Sequence, residues 1–306
     1  MKAVICTKYG KPEVLKVQEI EKPTANKNEI LVKIHSTSVN SADVRVRSLD
    51  AKGIMKTFMK LALGFSKPRN PILGTVFSGI IEEVGEKVTR FKLGDKVFGM
   101  TGFKFGTYSE YIALNEKSLT YAMPENANFN EAVSLIFGGQ TAIYFLEKAK
   151  IRNLKKPKVL IIGATGSVGV AATQLCLHYG HDVTVVCSSK GLELVQKLGV
   201  KNIILYDKQD FTKMDLKFDF IFDAHGKSNK KQCKNLLKNN GVFKTVGGLE
   251  MASESLQQLE SLKNLFETGA IKSIIDRTYL MKDVVEAHQY VDSGRKKGNV
   301  ILKIHK

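Results

Sequence analysis

Lys158-Val159-Leu160-Ile161-Ile162-Gly163-Ala164-Thr165-Gly166-Ser167-Val168-Gly169 reads as a buried strand, a glycine turn and the start of a helix. Gly163 lets the chain turn sharply, Gly166 lets backbone amides approach a phosphate, and Gly169 lets the helix pack on the strand. The amides and positive pole at a helix start favour a diphosphate. A plain strand-to-helix turn uses the same glycines, so the surroundings decide.

The apolar run upstream suits a strand of a parallel sheet covered on both faces. Downstream, Val168, Ala171, Ala172 and Leu175 recur at helical spacing, and Gly180 can end the helix. A second strand, Asp182 to Cys187, completes a βαβ unit of roughly 30 residues. An NAD site places an acid near the end of that strand for the ribose hydroxyls. Here the strand runs into Cys187-Ser188-Ser189-Lys190, and two hydroxyls with an ammonium suit a 2′-phosphate. The expected cofactor is therefore NADP(H). The same Ser188, Ser189 and Lys190 also suit capping of a helix from Gly191 to Leu198, and the roles coexist.

A length of 306 residues favours two domains. With 43% hydrophobic and 8% aromatic residues the composition is that of a soluble globular protein. No apolar run reaches membrane-helix length, and the N-terminus enters strand-like sequence at Ala3-Val4-Ile5 without a leader pattern, so a cytoplasmic location is expected. Cys6, Cys176, Cys187 and Cys233 are scattered, His178 and His181 lack a cysteine partner, and no metal site is expected. The net charge of +17 is spread along the chain, which fits a solvated lysine-rich surface and attraction of a polyanionic cofactor. Nucleic acid and membrane partners are not expected, although the charge leaves them open.

The first third reads as short strands: Ala3 to Cys6, Val14 to Ile20, Glu29 to His35, Val76 to Val84, Lys96 to Gly99 and Thr107 to Ala113. That pattern predicts a compact barrel. From about Asn130 strands and helices alternate, with helices at Ala132 to Ala149, Lys227 to Lys238 and Glu254 to Glu267, and strands at Asn202 to Tyr206, Phe218 to Ala224 and Gly241 to Val246. Alternation predicts a doubly wound sheet. A helix at Met281 to Ser293 and a strand at Asn299 to Ile304 rejoin the first domain, giving 1–124 with 274–306 and, between them, 125–273. In the stretch from Asp50 to Arg69, Lys52, Lys56 and Lys60 lie opposite Met55, Phe58, Met59 and Ala62 on any helix. It suits a helix packed on its own domain, a pocket cover or a surface-binding helix.

Further motifs punctuate the chain: Ser38-Val39-Asn40-Ser41-Ala42-Asp43, Gly74-Thr75-Val76-Phe77-Ser78-Gly79, Gly94-Asp95-Lys96-Val97, Gly106-Thr107-Tyr108-Ser109-Glu110-Tyr111, Gly139-Gln140-Thr141-Ala142, Val246-Gly247-Gly248 and Lys297-Gly298-Asn299-Val300. In this order, with the glycine turn and Tyr206, the chain resembles the zinc-independent quinone oxidoreductase branch of the medium-chain dehydrogenase/reductase superfamily over nearly its whole length. The resemblance implies an α/β protein: a GroES-like β-barrel domain plus a Rossmann doubly wound parallel-sheet domain that binds NADP(H), with a cleft between them.

By the same resemblance Asn40 and Thr141 lie by the nicotinamide and the acceptor carbonyl, and both count as catalytic and cofactor-binding. Gly166, Ser167 and Val168 meet the diphosphate, and Gly163, Thr165 and Gly169 of the same turn count as cofactor-binding. Ser188, Ser189 and Lys190 meet the 2′-phosphate, Tyr206 the adenosine end, and Val246 with Gly247 the nicotinamide side. Asn40 and Asp43 also suit a turn, and Tyr206 a strand-end surface aromatic. Zinc-containing relatives carry cysteine where Asn40 stands and His-Glu where Thr75-Val76 stand, so no zinc is expected. The family's aspartate at Val76 is missing. The segment from Leu249 to Thr268 is shorter than the family's dimer-pairing strands, which argues against the family dimer and leaves the oligomeric state open.

The implied reaction is hydride transfer from NADPH to a quinone or α,β-unsaturated carbonyl without a metal, with the acceptor's shape set by side chains around Phe58, Phe103 and Phe105. The alternative is an NADPH-binding regulatory or nucleic-acid-binding protein with little turnover.

Overall fold

The computed structural model describes residues 1–50, 53–151 and 154–305. Lys52 of the amphipathic stretch lies outside the described residues. In chain order the strands are β1 (Lys2–Cys6), β2 (Leu15–Glu19), β3 (Glu29–Ser38), β4 (Val76–Val84), β5 (Lys96–Met100), β6 (Tyr111–Asn115), β7 (Leu119–Ala122), β8 (Lys158–Ile162), β9 (Asp182–Cys187), β10 (Asn202–Leu205), β11 (Phe218–Asp223), β12 (Leu237–Thr245), β13 (Ile275–Leu280) and β14 (Asn299–Lys303). The α-helices are α1 (Ser41–Ser48), α2 (Gly53–Leu63), α3 (Phe129–Lys148), α4 (Ser167–His178), α5 (Leu192–Lys197), α6 (Leu256–Glu267) and α7 (Val284–Asp292).

The chain divides into two compact units, Met1–Ile136 with Ile275–Lys306, and Phe137–Ile274. The first division falls inside α3, so one continuous helix carries the chain from unit to unit.

The first unit is built on a sheet in the order β13-β14-β3-β4-β5-β7, with β6 also on β3 and β1 paired with β2 apart from it. β3 is the organising strand: alternation alone would bury one face, yet Ile30, Leu31, Val32 and Ile34 are all fully buried. It pairs with β4, β6 and β14 along its length. Ile30, Val32 and Ile34 join Val4, Leu73, Phe77, Val97, Val284 and Leu302 in one core.

In the second unit the order is β10-β9-β8-β11-β12, all parallel. The chain begins in the middle strand, winds outward to β10, then returns to start again at β11. The strand order reverses between β8 and β11, and their carboxyl ends open the crevice where such sheets bind ligands.

Two sequence expectations are corrected. The helix expected at Lys227 to Lys238 is absent: Lys234–Leu236 form a 3-10 turn and Leu237 already pairs with Phe218 as β12. Lys230, Lys234 and Lys238 repel at four-residue spacing, and the only buried anchors are Cys233 and Leu236. Thr107 to Glu110 is not strand: Leu73 O accepts from Tyr108 N and Tyr108 O from Val4 N, so the backbone bonds go to two segments rather than one ladder. On α2, Leu63 packs on the core, while Phe58, Leu61 and Ala62 face outward.

Candidate active site

In the second unit β8 ends at Ile162 and Gly163 turns the chain at φ +77°. A Cβ on Gly163 would lie 2.7 Å from His225 Cβ, so the loops after β8 and β11 touch where the strand order reverses. A Cβ on Gly169 would lie 2.2 Å from Gly163 O, so only glycine lets α4 start this close to the turn. Gly166 is the N-cap of α4 and has no side chain to cap the first-turn amides, which keeps that end open for an anion. Thr165, Ser167 and Val168 stand in the same turn. These features fit the diphosphate of a dinucleotide.

At the end of β9, Ser188 and Ser189 are half-buried and Lys190 is exposed. Tyr206 N donates to Cys187 O at 3.0 Å, which sets Tyr206, 58% exposed, beside this strand end. The next residue, Asp207, accepts from Ser189 N at 2.9 Å, and hydrogen bonds from Ser189 hold its carboxyl below the usual range. An acid therefore does reach this edge, from the end of β10 rather than β9. Asp207 is engaged by Ser189, and Lys190 and Lys208 both stand exposed at this edge. Burial pushes the Cys187 thiol up to about 11, so it is no thiolate.

Opposite, Asp223 ends β11 fully buried. Its Oδ1 accepts from His225 N and Gly226 N, and its Oδ2 from Ser228 N and Thr245 Oγ1. Val246 N then donates to Asp223 O and Gly247 N to Thr245 Oγ1. The Asp223 carboxylate thus ties the loop after β11 to Thr245, where the loop carrying Val246 and Gly247 begins. Thr141 lies on α3 one turn beyond Gly138, which abuts Ser167 O. Its hydroxyl donates to Phe137 O at 2.8 Å, leaving its oxygen to accept but not donate.

In the first unit Asn40 is the N-cap of α1, 3% exposed. Its Oδ1 accepts from Ala42 N and Asp43 N, and Asp43 Oδ2 accepts from Asn40 N in return. This reciprocal capping box realises the turn role open in the sequence. Asn40 Nδ2 donates to Thr75 Oγ1 at 2.8 Å, so one N–H of the amide stays available. Burial pushes the Asp43 carboxyl up to about 7, against hydrogen bonds from Asn40, Tyr108 and Gly74 that pull it down.

A catalytic zinc does not fit these residues. The carboxamide turns N–H toward Thr75 and its oxygen to backbone amides, and Val76 offers no donor. Among the described residues no group of three or more His, Cys, Asp or Glu side chains gathers.

Sequence reasoning brought together the turn, Ser188 to Lys190, Tyr206, Val246 and Gly247, which stand at the carboxyl ends of one sheet. It missed Asp207 and Asp223, whose partners are mostly backbone amides, and the helix behind Asn40. The Asn40 and Asp43 spacing of a capping box was the available signal. Of the three phenylalanines assigned to the acceptor pocket, Phe105 belongs to the core, while Phe58 and Phe103 are exposed.

Residues 26–125 match the family model of the alcohol dehydrogenase GroES-like domain, and residues 167–286 that of the zinc-binding dehydrogenase. The 2-methylene-furan-3-one reductase of Solanum lycopersicum is 30% identical over 99% of the chain and 79% of its own length. The Homo sapiens protein named NAD(P)H oxidoreductase RTN4IP1, mitochondrial, is 29% identical over 99% of the chain and 89% of its own length. The solved quinone oxidoreductase of Coxiella burnetii superposes with a TM-score of 0.89 at 26% identity, over 100% of the chain and 99% of that structure.

Proposed function

The chain belongs to the quinone oxidoreductase-like branch of the medium-chain dehydrogenase/reductase superfamily, and from that premise we propose that it is an NADPH-dependent reductase of quinones or α,β-unsaturated carbonyls. The observation that carries the reading is the assembly at the carboxyl ends of β8, β9, β11 and β12. An open helix end, a hydroxyl-rich edge with Lys190 and a carboxylate-braced glycine loop gather there, each suited to one part of a dinucleotide.

Bound NADPH supplies the hydride. The chain binds and orients it: the α4 amides take the diphosphate, Ser188, Ser189 and Lys190 the 2′-phosphate, and Val246 with Gly247 border the nicotinamide side. Asn40 offers its remaining Nδ2 hydrogen to the acceptor carbonyl oxygen, whose charge grows as hydride arrives. Thr141 accepts a hydrogen bond from the nicotinamide side. A quinone or enone delocalises the new charge, so no zinc is required. The name of the Homo sapiens relative carries a mitochondrial address, and a cytoplasmic site for this chain stays part of the proposal.

Steady-state NADPH oxidation over a panel of quinones and enones tests the reading. Turnover on at least one acceptor is expected. Thermal stabilisation by NADPH with no turnover on any of them would instead mark a cofactor-binding regulator.

A further inference from the structure

We propose that α2 and the turn after it form a docking face for an anionic lipid surface. The inference does not depend on the hydride-transfer reading. Leu63 packs α2 on the core, Tyr9 Oη donates to Gly64 O at 2.8 Å, and Arg69 donates to Leu61 O through Nη2 and to Leu63 O through its backbone N. These anchors fix which way the helix faces. Phe58, Leu61 and Ala62, at i, i+3 and i+4 of α2, and Phe65 in the turn after it are left outside, with Phe58, Leu61 and Phe65 exposed to 58%, 50% and 64%. Asn70 Nδ2 donates to Lys104 O, tying in the turn that carries Phe103, 73% exposed.

The charge along this segment of the chain is of one sign. From Ala51 to Ile81 the chain has no Asp or Glu, while Lys56, Lys67 and Arg69 are exposed and Lys60 half-buried beside it. Lys104 adds another exposed cation next to Phe103. A second copy presenting the same face would meet like charge. An acyl and phosphate boundary satisfies both halves: phenylalanine and leucine enter the apolar edge, and the lysine stems reach back to the headgroups. At 11 residues the helix rises about 16 Å, half of a bilayer core, so it lies in the interface plane. Leu61 and Ala62 offer no hydrogen-bonding group to a base edge, which favours lipid over nucleic acid.

The chain has no tryptophan, so Phe58→Trp installs a single reporter on the stripe. Its emission is expected to shift to the blue with vesicles of phosphatidylcholine and phosphatidylserine, and to stay unshifted with phosphatidylcholine alone. In flotation with the mixed vesicles, Leu61→Ser with Phe65→Ser is expected to lower partitioning at least about tenfold. Lys56→Glu with Lys67→Glu should cost more than about fivefold per residue. Lys230→Glu with Lys231→Glu removes the same charge from an exposed site in the other unit and should change partitioning less than about twofold. An unshifted emission with mixed vesicles overturns the proposal. So does an equal loss in the two lysine pairs, which would assign binding to net charge, or a shift given by single-stranded RNA and not by vesicles.

Discussion

The phenol of Tyr108 donates to Oδ2 of Asp43 at 3.1 Å, and both side chains are fully buried. The same oxygen accepts from Asn40 N at 3.0 Å, so this carboxyl joins the start of α1 to the segment between β5 and β6. One turn on, Arg47 donates to both oxygens of Asp292 on α7, four residues after His288. The ring of His288 meets that of Tyr108 edge-on at 5.7 Å. A buried polar seam therefore runs between α1 and α7 directly behind Asn40.

Tyr108→Phe keeps the packing and removes one hydrogen bond to a buried carboxyl. A loss of about 1–3 kcal/mol is expected in urea unfolding. No change in the unfolding midpoint would show that the bond contributes nothing.

Asn40 combines a cap and a donor, and two substitutions separate them. Asn40→Ser keeps an oxygen for the α1 amides, while Asn40→Ala loses it and should cost about 1 kcal/mol more in stability. If the amide N–H serves the acceptor, kcat falls by about 100-fold in both. A drop confined to the alanine variant would assign Asn40 to structure alone.

Gly169→Ala places a methyl group against Gly163 O, where a Cβ would lie at 2.2 Å. Backbone must move and the α4 amides move with it. NADPH-induced stabilisation in thermal unfolding should fall sharply even where the variant still folds. Unchanged stabilisation would place the cofactor elsewhere.

Cofactor choice turns on charges where the paired strands β9 and β10 end side by side. Lys190→Glu should lower the preference for NADPH over NADH by about tenfold or more, since attraction becomes repulsion. Asp207→Asn should raise that preference by about twofold to fivefold, because a nearby negative charge is lost while Ser189 N keeps an acceptor. The ratio of kcat/KM for the two cofactors reads both. A ratio indifferent to Lys190 would overturn the 2′-phosphate assignment.

Local signals carried much of the fold, and their range explains what escaped. The bounds of β4 and β9 and the β8 turn into α4 were legible because apolar run, glycine and helical period lie within a few residues of each other. β7 and β13 escaped because their partners, β5 and β14, are distant in sequence and their own alternation is weak. The helix expected at Lys227 was lost to Leu237, which is drawn into register with Phe218. The outward face of α2 depends on Leu63, Tyr9 and Arg69, and a helical wheel of the lysines cannot show it. The motif residues of the site could be read one by one. Asp207 and Asp223 could not, since each acts through backbone amides placed only by folding.

The seam behind Asn40 holds two groups that titrate in opposite senses. Burial pushes Asp43 up to about 7, and burial with the nearby Arg47 charge pushes His288 down to about 3. Between about pH 4 and 6.5 the folded chain keeps a proton on Asp43 and none on His288, while the unfolded chain does the reverse. Proton counts match, so the pair adds almost no slope to stability against pH. Removing either group exposes the other. In Asp43→Asn the unfolded state alone binds the extra proton, on His288, and stability should rise with pH by about 1 kcal/mol per unit up to about 6.5, relative to the unmodified chain. In His288→Gln the folded state alone holds it, on Asp43, and stability should fall with rising pH by a similar amount per unit until about 7. Urea unfolding of all three chains at pH 4.5, 5.5 and 6.5, roughly spanning that window, measures the slopes. Parallel slopes in the three would mean that Asp43 and His288 titrate alike in folded and unfolded chains.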